Sequence, residues 1–164
     1  CIVKKIIVYH GTSFDFDAID LTKSKDRRDF GKGFYTTTIQ SQAEAWAKNI
    51  ALRNGMKTCF VYVYEFTFDD SLKHKHFDGL NEEWLEFIKN NRALGGIQHD
   101  YDVVTGPVAD DNTMLTVNRY MNGTYTVQEA LDRLAYFKVN DQLCLNTPNA
   151  LRFIKLVRRY TIDQ

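Results

Sequence analysis

Three short strings carry the residues of this 164-residue chain best suited to chemistry: Tyr9-His10-Gly11-Thr12, Gly31-Lys32-Gly33-Phe34-Tyr35-Thr36-Thr37 and Asp141-Gln142-Leu143-Cys144. In the first, an imidazole that can hydrogen-bond a ribose hydroxyl precedes a glycine. Without a Cβ, that glycine leaves its N–H and C=O open to a planar ligand. Taken alone, His10-Gly11 reads first as a turn after a strand, with the imidazole satisfied by a nearby carbonyl. The second string sets two glycines just before an aromatic-rich strand; the plainer alternative is a Gly-rich turn against an aromatic core. The third places a neutral carboxamide, Gln142, at the start of a strand late in the chain. Its neighbour Asp141 points to the opposite face if the strand alternates.

Further groups stand around these three. Asp110 and Asp111 follow the Gly106-Pro107 turn and can place negative charge near a reacting sugar or deprotonate an acceptor; a turn or helix cap is the favoured alternative. Arg27 and Arg28 precede the Gly-rich string on a loop and can meet a pyrophosphate, or stand as solvated charges. His74-Lys75-His76 offers two imidazoles, which do not make a metal site, and His99 adds no convincing partner; no metal is expected.

The elements that must position these residues follow from pattern. Residues 2–8 form an apolar, β-branched run ending at His-Gly and predict a buried strand; residues 34–38 predict a second. Ser41-Gln42-Ala43-Glu44 has the spacing of a capping box and predicts a helix to about residue 54, with Ala43, Trp46, Ala47, Ile50 and Ala51 on one face. Residues 58–68 give the clearest strand. A helix over 81–92 buries Trp84, Leu85 and Ile88, and a strand over 101–105 stops at Gly106-Pro107. Residues 113–120 fit strand or helix. Thr126-Val127-Gln128-Glu129 is a second capping box, opening a helix to about 136. A strand over 142–145, a short helix from Thr147-Pro148 to 154 and a strand over 156–161 complete the pattern. Strands and helices mix without regular alternation, which predicts an α+β fold. With no repeats or linkers, residues 1–164 read as a single domain.

The composition is that of a packed globular protein, with 44% hydrophobic and 13% aromatic residues. With 21 basic and 21 acidic residues the formal net charge is zero, which excludes capture of nucleic acid or an anionic membrane by a global field. Basic clusters at Lys23, Lys25, Arg27 and Arg28, and at Arg152, Lys155, Arg158 and Arg159, read as solvated faces. Three cysteines, Cys1, Cys59 and Cys144, lack metal or redox spacing and fit free thiols in a reducing cytosol. No apolar run approaches a membrane span and no signal peptide is visible, so a cytoplasmic location without membrane association is expected.

In chain order the three strings resemble the strand motifs of the diphtheria-toxin/poly(ADP-ribose)-polymerase class of ADP-ribosyltransferases. The likeness is strong over residues 7–51 and supportive over 141–151. The Gly-Lys-Gly-aromatic-Tyr segment followed by a helix is its most specific part. The resemblance implies a split, strongly twisted sheet with flanking helices and NAD as co-substrate. It makes His10, Tyr35 and Gln142 the catalytic set. His10, Gly11, Thr12, Gly33, Phe34, Tyr35 and Trp46 become the NAD-binding set, with Arg27, Asp110 and Asp111 as auxiliaries. In this alignment His10 holds the adenine-side ribose, Gly11 the carboxamide, and Tyr35 with Trp46 sandwiches the nicotinamide, a stacking that suits an electron-poor pyridinium. Ala43 falls where the class has a carboxamide-binding Ser, Trp46 where it has a Tyr, and Gln142 where it usually keeps a catalytic Glu.

The intervening Gly106-Pro107-Val108-Ala109-Asp110-Asp111 block does not match the polymerases. It is similar to a block in compact bacterial proteins of uncharacterised function that share the Tyr-His-Gly and Asp-Phe-Gly-x-Gly-Phe-Tyr strings and are regarded as members of the same superfamily, often with the genomic character of toxins. The resemblance implies a mono-ADP-ribosyltransferase, a bacterial toxin or effector, acting on an unknown acceptor (protein, nucleic acid or small molecule), with a neutralising antitoxin-type partner as a fair expectation. Three rival readings stand beside it: an inactive module that binds NAD or ADP-ribose, an NAD glycohydrolase, and an interaction domain with no nucleotide site.

Overall fold

The β-rich run over 58–68 forms the longest strand and the backbone of one of two sheets. The structure, a computed structural model, describes residues 4–108, 111–135 and 140–163, with the backbone alone described at 111, 112 and 140. Its strands are β1 (Lys4–Thr12), β2 (Phe34–Thr36), β3 (Thr58–Phe68), β4 (His74–His76), β5 (Val103–Val108), β6 (Asn140–Leu145) and β7 (Ile154–Asp163). Its helices are α1 (Gln40–Arg53), α2 (Glu82–Leu94), α3 (Asp111–Met121), α4 (Val127–Leu134) and α5 (Pro148–Leu151), with a 3₁₀ turn at Leu21–Lys23. The fold is α+β, as the irregular alternation of elements predicts.

One sheet runs β1-β3-β7 and the other β2-β6-β5-β4. They touch edge to edge through one isolated antiparallel bridge, Tyr9 with Thr37, whose two hydrogen bonds measure 2.8 and 2.9 Å. Small residues let α1 sit directly on the first sheet: Ala43, Ala47 and Ala51 are fully buried against Cys59, Val61 and the half-buried Tyr9. The second sheet buries Tyr35, Val104 and Cys144 on one face under Trp84, Leu85 and Ile88 of α2 and Val117 of α3. Its other face, with Val103, Leu143 and Leu145, packs on Val8, Tyr62, Tyr64 and Phe66 of the first sheet.

Several sequence expectations need correction. The first strand does not end at His-Gly: β3 runs alongside from Lys4↔Phe68 to Thr12↔Phe60, so ladder partners carry the chain through His10 and Gly11 without a turn. The capping box at Ser41 is not formed. α1 begins at Gln40 after Ile39 and has no side-chain cap, while Glu44 accepts a 2.8 Å bond from the Tyr160 hydroxyl. β5 continues through Gly106-Pro107 because its neighbour β4 pairs only as far as Thr105. Beyond that point no described strand pairs with that edge of β5, and alternation turns the donor-less proline nitrogen toward it. Residues 113–120 lie within α3, and the helix opened by Pro148 stops at Leu151. The box at Thr126–Glu129 is realised in both directions. Among the described residues no helix is long and apolar enough to cross a membrane.

Candidate functional site

Antiparallel strands direct successive backbone groups alternately to either side. Tyr9 bonds Thr37 of the opposite sheet through both its N–H and its C=O, so His10 turns to β3 and Gly11 turns back toward β2. The same parity aims the N–H and C=O of Tyr35 at β1. A second rung would join Gly11 to Tyr35, yet the bridge at Tyr9 is isolated. The His10 imidazole takes that place: its Nδ1 lies 2.7 Å from the Tyr35 carbonyl oxygen. The two sheets therefore part at this point, and the Gly11 N–H and C=O and the Tyr35 N–H face the split.

A carbonyl accepts and never donates, so His10 carries its proton on Nδ1 and offers the Nε2 lone pair. Burial pushes the imidazole pKa down to about 4, opposed by the bond to Tyr35 and assisted by the Arg28 charge, so the ring is neutral near pH 7. It stacks on Phe34 with centroids 4.2 Å apart and meets Phe16 edge-on at 5.9 Å. A neutral imidazole in a fixed tautomer, its orientation set by aromatic neighbours, is an acceptor for a hydroxyl donor such as a ribose.

The glycines serve close packing. A Cβ on Gly11 would lie 2.0 Å from the Ala43 carbonyl oxygen, so α1 fills the direction that the sequence reading left open for a ligand. Access to Gly11 runs through its backbone groups in the split. A Cβ on Gly33 would meet the Cys144 sulfur at 2.6 Å and the Leu145 oxygen at 2.7 Å, which lets the loop close on β6. Thr12 is buried and its hydroxyl accepts from the Phe14 N–H at 3.1 Å.

Tyr35 is only 6% exposed. Its hydroxyl donates to the Gly31 carbonyl at 2.6 Å and accepts from the Phe30 N–H at 2.9 Å, holding the Gly-rich loop in shape. Burial raises its pKa well above the ordinary value for a tyrosine. The Arg28 guanidinium lies 4.3 Å from the ring centroid and covers one face. Trp46 is half-buried on α1, and among the described residues its indole makes no ring contact with Tyr35. Arg27 serves elsewhere: in a left-handed conformation, it donates to the Arg92 and Ala93 carbonyls at 3.0 and 2.5 Å and caps the C-terminus of α2.

Gln142 sits on β6 opposite Gly106, 3% exposed, with its Nε2 3.5 Å from the Pro107 carbonyl. That carbonyl also accepts a 3.0 Å bond from the Trp84 indole. Alternation from Cys144, the partner of Tyr35, puts Gln142 on the face shared by Tyr35 and Gly11. Gln142 also lines a cavity of about 600 Å³ with Thr38, Gly106, His74, His76 and Asp78.

Asp141 faces away from Gln142, as alternation predicts, and staples β6 to the start of α1. Its carboxylate accepts from the Thr37 hydroxyl at 2.8 Å, the Thr38 N–H at 3.0 Å and the Thr38 hydroxyl, and its carbonyl accepts from Gln42 at 2.8 Å. Asp110 lies outside the described residues, and Asp111 opens α3 without a described side chain.

The structure thus brings His10, Gly11, Phe34 and Tyr35 together at the split, with Gln142 nearby on the same sheet face as Tyr35. Sequence reasoning missed the Arg28–Tyr35 stack. It also missed β4 itself, where His74 and His76 both approach the Thr105 hydroxyl, at 2.8 and 2.7 Å. The two-residue spacing of those histidines was the available signal, because alternate residues of a strand share a face. Among the described residues no group of three or more His, Cys, Asp or Glu side chains is placed to hold a metal.

Comparison with curated proteins finds no match for the chain. A family model described as protein of unknown function (DUF3990) matches residues 6–156, a span that takes in the second sheet and the split but only the first residues of β7. The chain belongs to that DUF3990 family.

Proposed function

We propose that the chain has the ADP-ribosyltransferase-like split-sheet fold, that NAD binds in the split between β1 and β2, and that the protein transfers the ADP-ribose unit to an acceptor. One observation carries this reading. The Gly11 N–H and C=O face the split beside the Tyr35 N–H, kept from pairing by the 2.7 Å contact of His10 with the Tyr35 carbonyl. A donor and an acceptor on one residue match a carboxamide, which presents one of each. The neutral His10, with Nε2 free to accept, suits the adenine-side ribose.

Arg28 occupies the Tyr35 ring face that a pyridinium would use. It is itself a flat cation, and its guanidinium must give way for nicotinamide to stack, which puts it within reach of the pyrophosphate. Gln142 then orients the nicotinamide ribose while the glycosidic bond breaks. A carboxamide supplies a hydrogen bond without charge, about 0.5–1.5 kcal/mol against roughly 1.5–3 for a charged partner. The deficit against a carboxylate is about 1–2 kcal/mol, or roughly ten-fold in rate. That slows an enzyme without forbidding one.

One observation favours the rival binding module: Gln142 is 3% exposed and leans on the Pro107 carbonyl. Nicotinamide release from NAD, with and without cell lysate, separates the readings. Release that needs lysate and falls at least ten-fold in Gln142→Ala supports the transferase; release in water alone supports the glycohydrolase. Saturable NAD binding without release leaves the binding module, and no binding removes the nucleotide reading.

A further inference from the structure

The first sheet ends on β7, which pairs with β3 along one side and with no described strand along the other. Its middle stands clear of the body: Lys155, Leu156, Val157, Arg158 and Arg159 are all exposed, Leu156 by 46% and Val157 by 55%. Parity shows which backbone groups are unused. His10 turns to β3, so its partner Tyr62 turns to β1, and Val61, Val63 and Glu65 turn to β7. Thr67 keeps that parity, donating to the Phe153 carbonyl at 2.9 Å. The β7 partners of those three residues are Tyr160, Arg158 and Lys155, whose backbone groups are thereby tied to β3. Leu156, Arg159 and Thr161 direct their N–H and C=O outward, a row that is a template for another strand.

The same register sorts the side chains. A bulge at Val157 keeps Lys155 and Arg158 on one face, that of α1, opposite Glu65 and Val63. Among the described residues neither cation has an ion-pair partner: Glu65 lies 3.8 Å from Lys5, and Arg158 lies over the Tyr160 ring at 5.0 Å. Ile154 and Leu156 take the other face and line a cavity of about 250 Å³ with Tyr64, Leu151, Ile19 and Asp17. Arg159, also on that face, is already paired with Asp15.

We propose that the free edge of β7 docks an extended segment of a partner protein, a strand that alternates acidic with apolar residues. Such a strand pairs its backbone with the outward groups of Leu156, Arg159 and Thr161. Lys155 and Arg158, bonded to β3, stand at the positions of the new ladder that bond nothing across it, where facing side chains come closest. Carboxylates belong there. On the other face an apolar side chain of the added strand enters the cavity at Ile154 and Leu156. Charge decides the occupant. An antiparallel pairing with a second copy, centred between Leu156 and Val157, would set lysine against arginine twice, which is unfavourable, and a basic edge deters such self-pairing. An acidic strand turns the same two cations into attraction. This surface requires nothing of the NAD site.

The test titrates the full nitrogen-15-labelled chain with three probes as long as β7: a peptide alternating glutamate with valine, its counterpart with lysine for glutamate, and a single-stranded oligonucleotide. The glutamate peptide should bind saturably, more weakly as salt rises, and should slow hydrogen exchange at the Leu156, Arg159 and Thr161 amides. The lysine peptide should not bind. Reversing both cations in Lys155→Glu/Arg158→Glu should weaken the glutamate peptide at least about ten-fold and admit the lysine peptide. Both positions are exposed, so this variant should melt close to wild type. Thr161→Pro removes one outward N–H while sparing the bonds to β3, and should weaken the peptide without changing its charge preference. Equal binding of the two peptides, binding of neither, tighter binding of the oligonucleotide, or slowed exchange only at amides outside β7 would each overturn the proposal.

Discussion

Replacing Gly11 by alanine tests whether this residue is glycine for packing or for a ligand. An ideal Cβ at this position lies 2.0 Å from the Ala43 carbonyl oxygen and 2.9 Å from both the Ala43 carbonyl carbon and the Ala47 nitrogen. Ordinary contact begins at 3.4 Å, so α1 must withdraw from β1 by about 1.4 Å. All three atoms met are backbone, and no rotamer change relieves the overlap. Withdrawal opens a gap along the fully buried face of Ala43, Ala47 and Ala51. Overpacking typically costs about 1–3 kcal/mol, and a rigid helix puts this site at the upper end, about 3 kcal/mol. For a chain of this size each kcal/mol moves the melting temperature by roughly 2–4 °C, so Gly11→Ala should melt about 6–12 °C below wild type without NAD. Gly79, where a Cβ would meet nothing within 4 Å, is the control, and Gly79→Ala should shift stability by less than about 1 kcal/mol. Thermal and urea unfolding of both variants decide the matter. A Gly11→Ala protein melting within about 2 °C of wild type would refute the packing argument.

Three further outcomes follow from the same structure. His10 has a folded pKa of about 4 against 6.5 unfolded, so its contribution is fully present above pH 6.5 and is lost as pH falls toward 4. That loss amounts to at most about 3 kcal/mol, and His10→Gln should remove that part of the acid sensitivity in urea titrations run from pH 7 to 4. Asp29→Ala strands Arg92, whose Nε donates to the nearly buried Asp29 carboxylate at 2.6 Å; a loss of about 3 kcal/mol in urea unfolding is expected, and a loss below about 1 would contradict it. Arg28→Ala uncovers the Tyr35 ring at the cost of a cation–π contact of roughly 1 kcal/mol. Under the stacking reading it should bind free nicotinamide about five-fold more tightly by calorimetry, and weaker binding would show that Arg28 aids the ligand rather than covering its place.

How far the sequence reached is clearest where local chemistry and tertiary packing agree. The strand over 58–68, the Thr126 cap and the Pro148 start all lie where local pattern puts them, because each depends on residues within one turn or one strand. Expectations failed where a distant partner overrode the local signal. His10-Gly11 continues a strand because β3 lies beside it. Ser41 and Glu44 surrender their box because α1 starts at Gln40, and Tyr160 takes the Glu44 carboxylate. Pro107 stays in a strand because β4 has already ended. At the site, the strings hold residues that the fold brings together, but not the contacts those residues make. Nothing near Tyr35 in sequence shows that its hydroxyl closes the Gly31 loop or that Arg28 covers its ring. The link of Thr105 to His74 and His76 spans about 30 residues and exists only once β4 pairs with β5.

The most direct test of the central claim is a titration of the nitrogen-15-labelled protein with NAD, following the amides of Gly11 and Tyr35. If the split holds the nicotinamide carboxamide, these two N–H groups shift first and saturate together, and nicotinamide alone moves them in the same direction. If NAD leaves both amides unmoved, or moves only residues remote from the split, the site is not a nucleotide site and the proposed transferase falls.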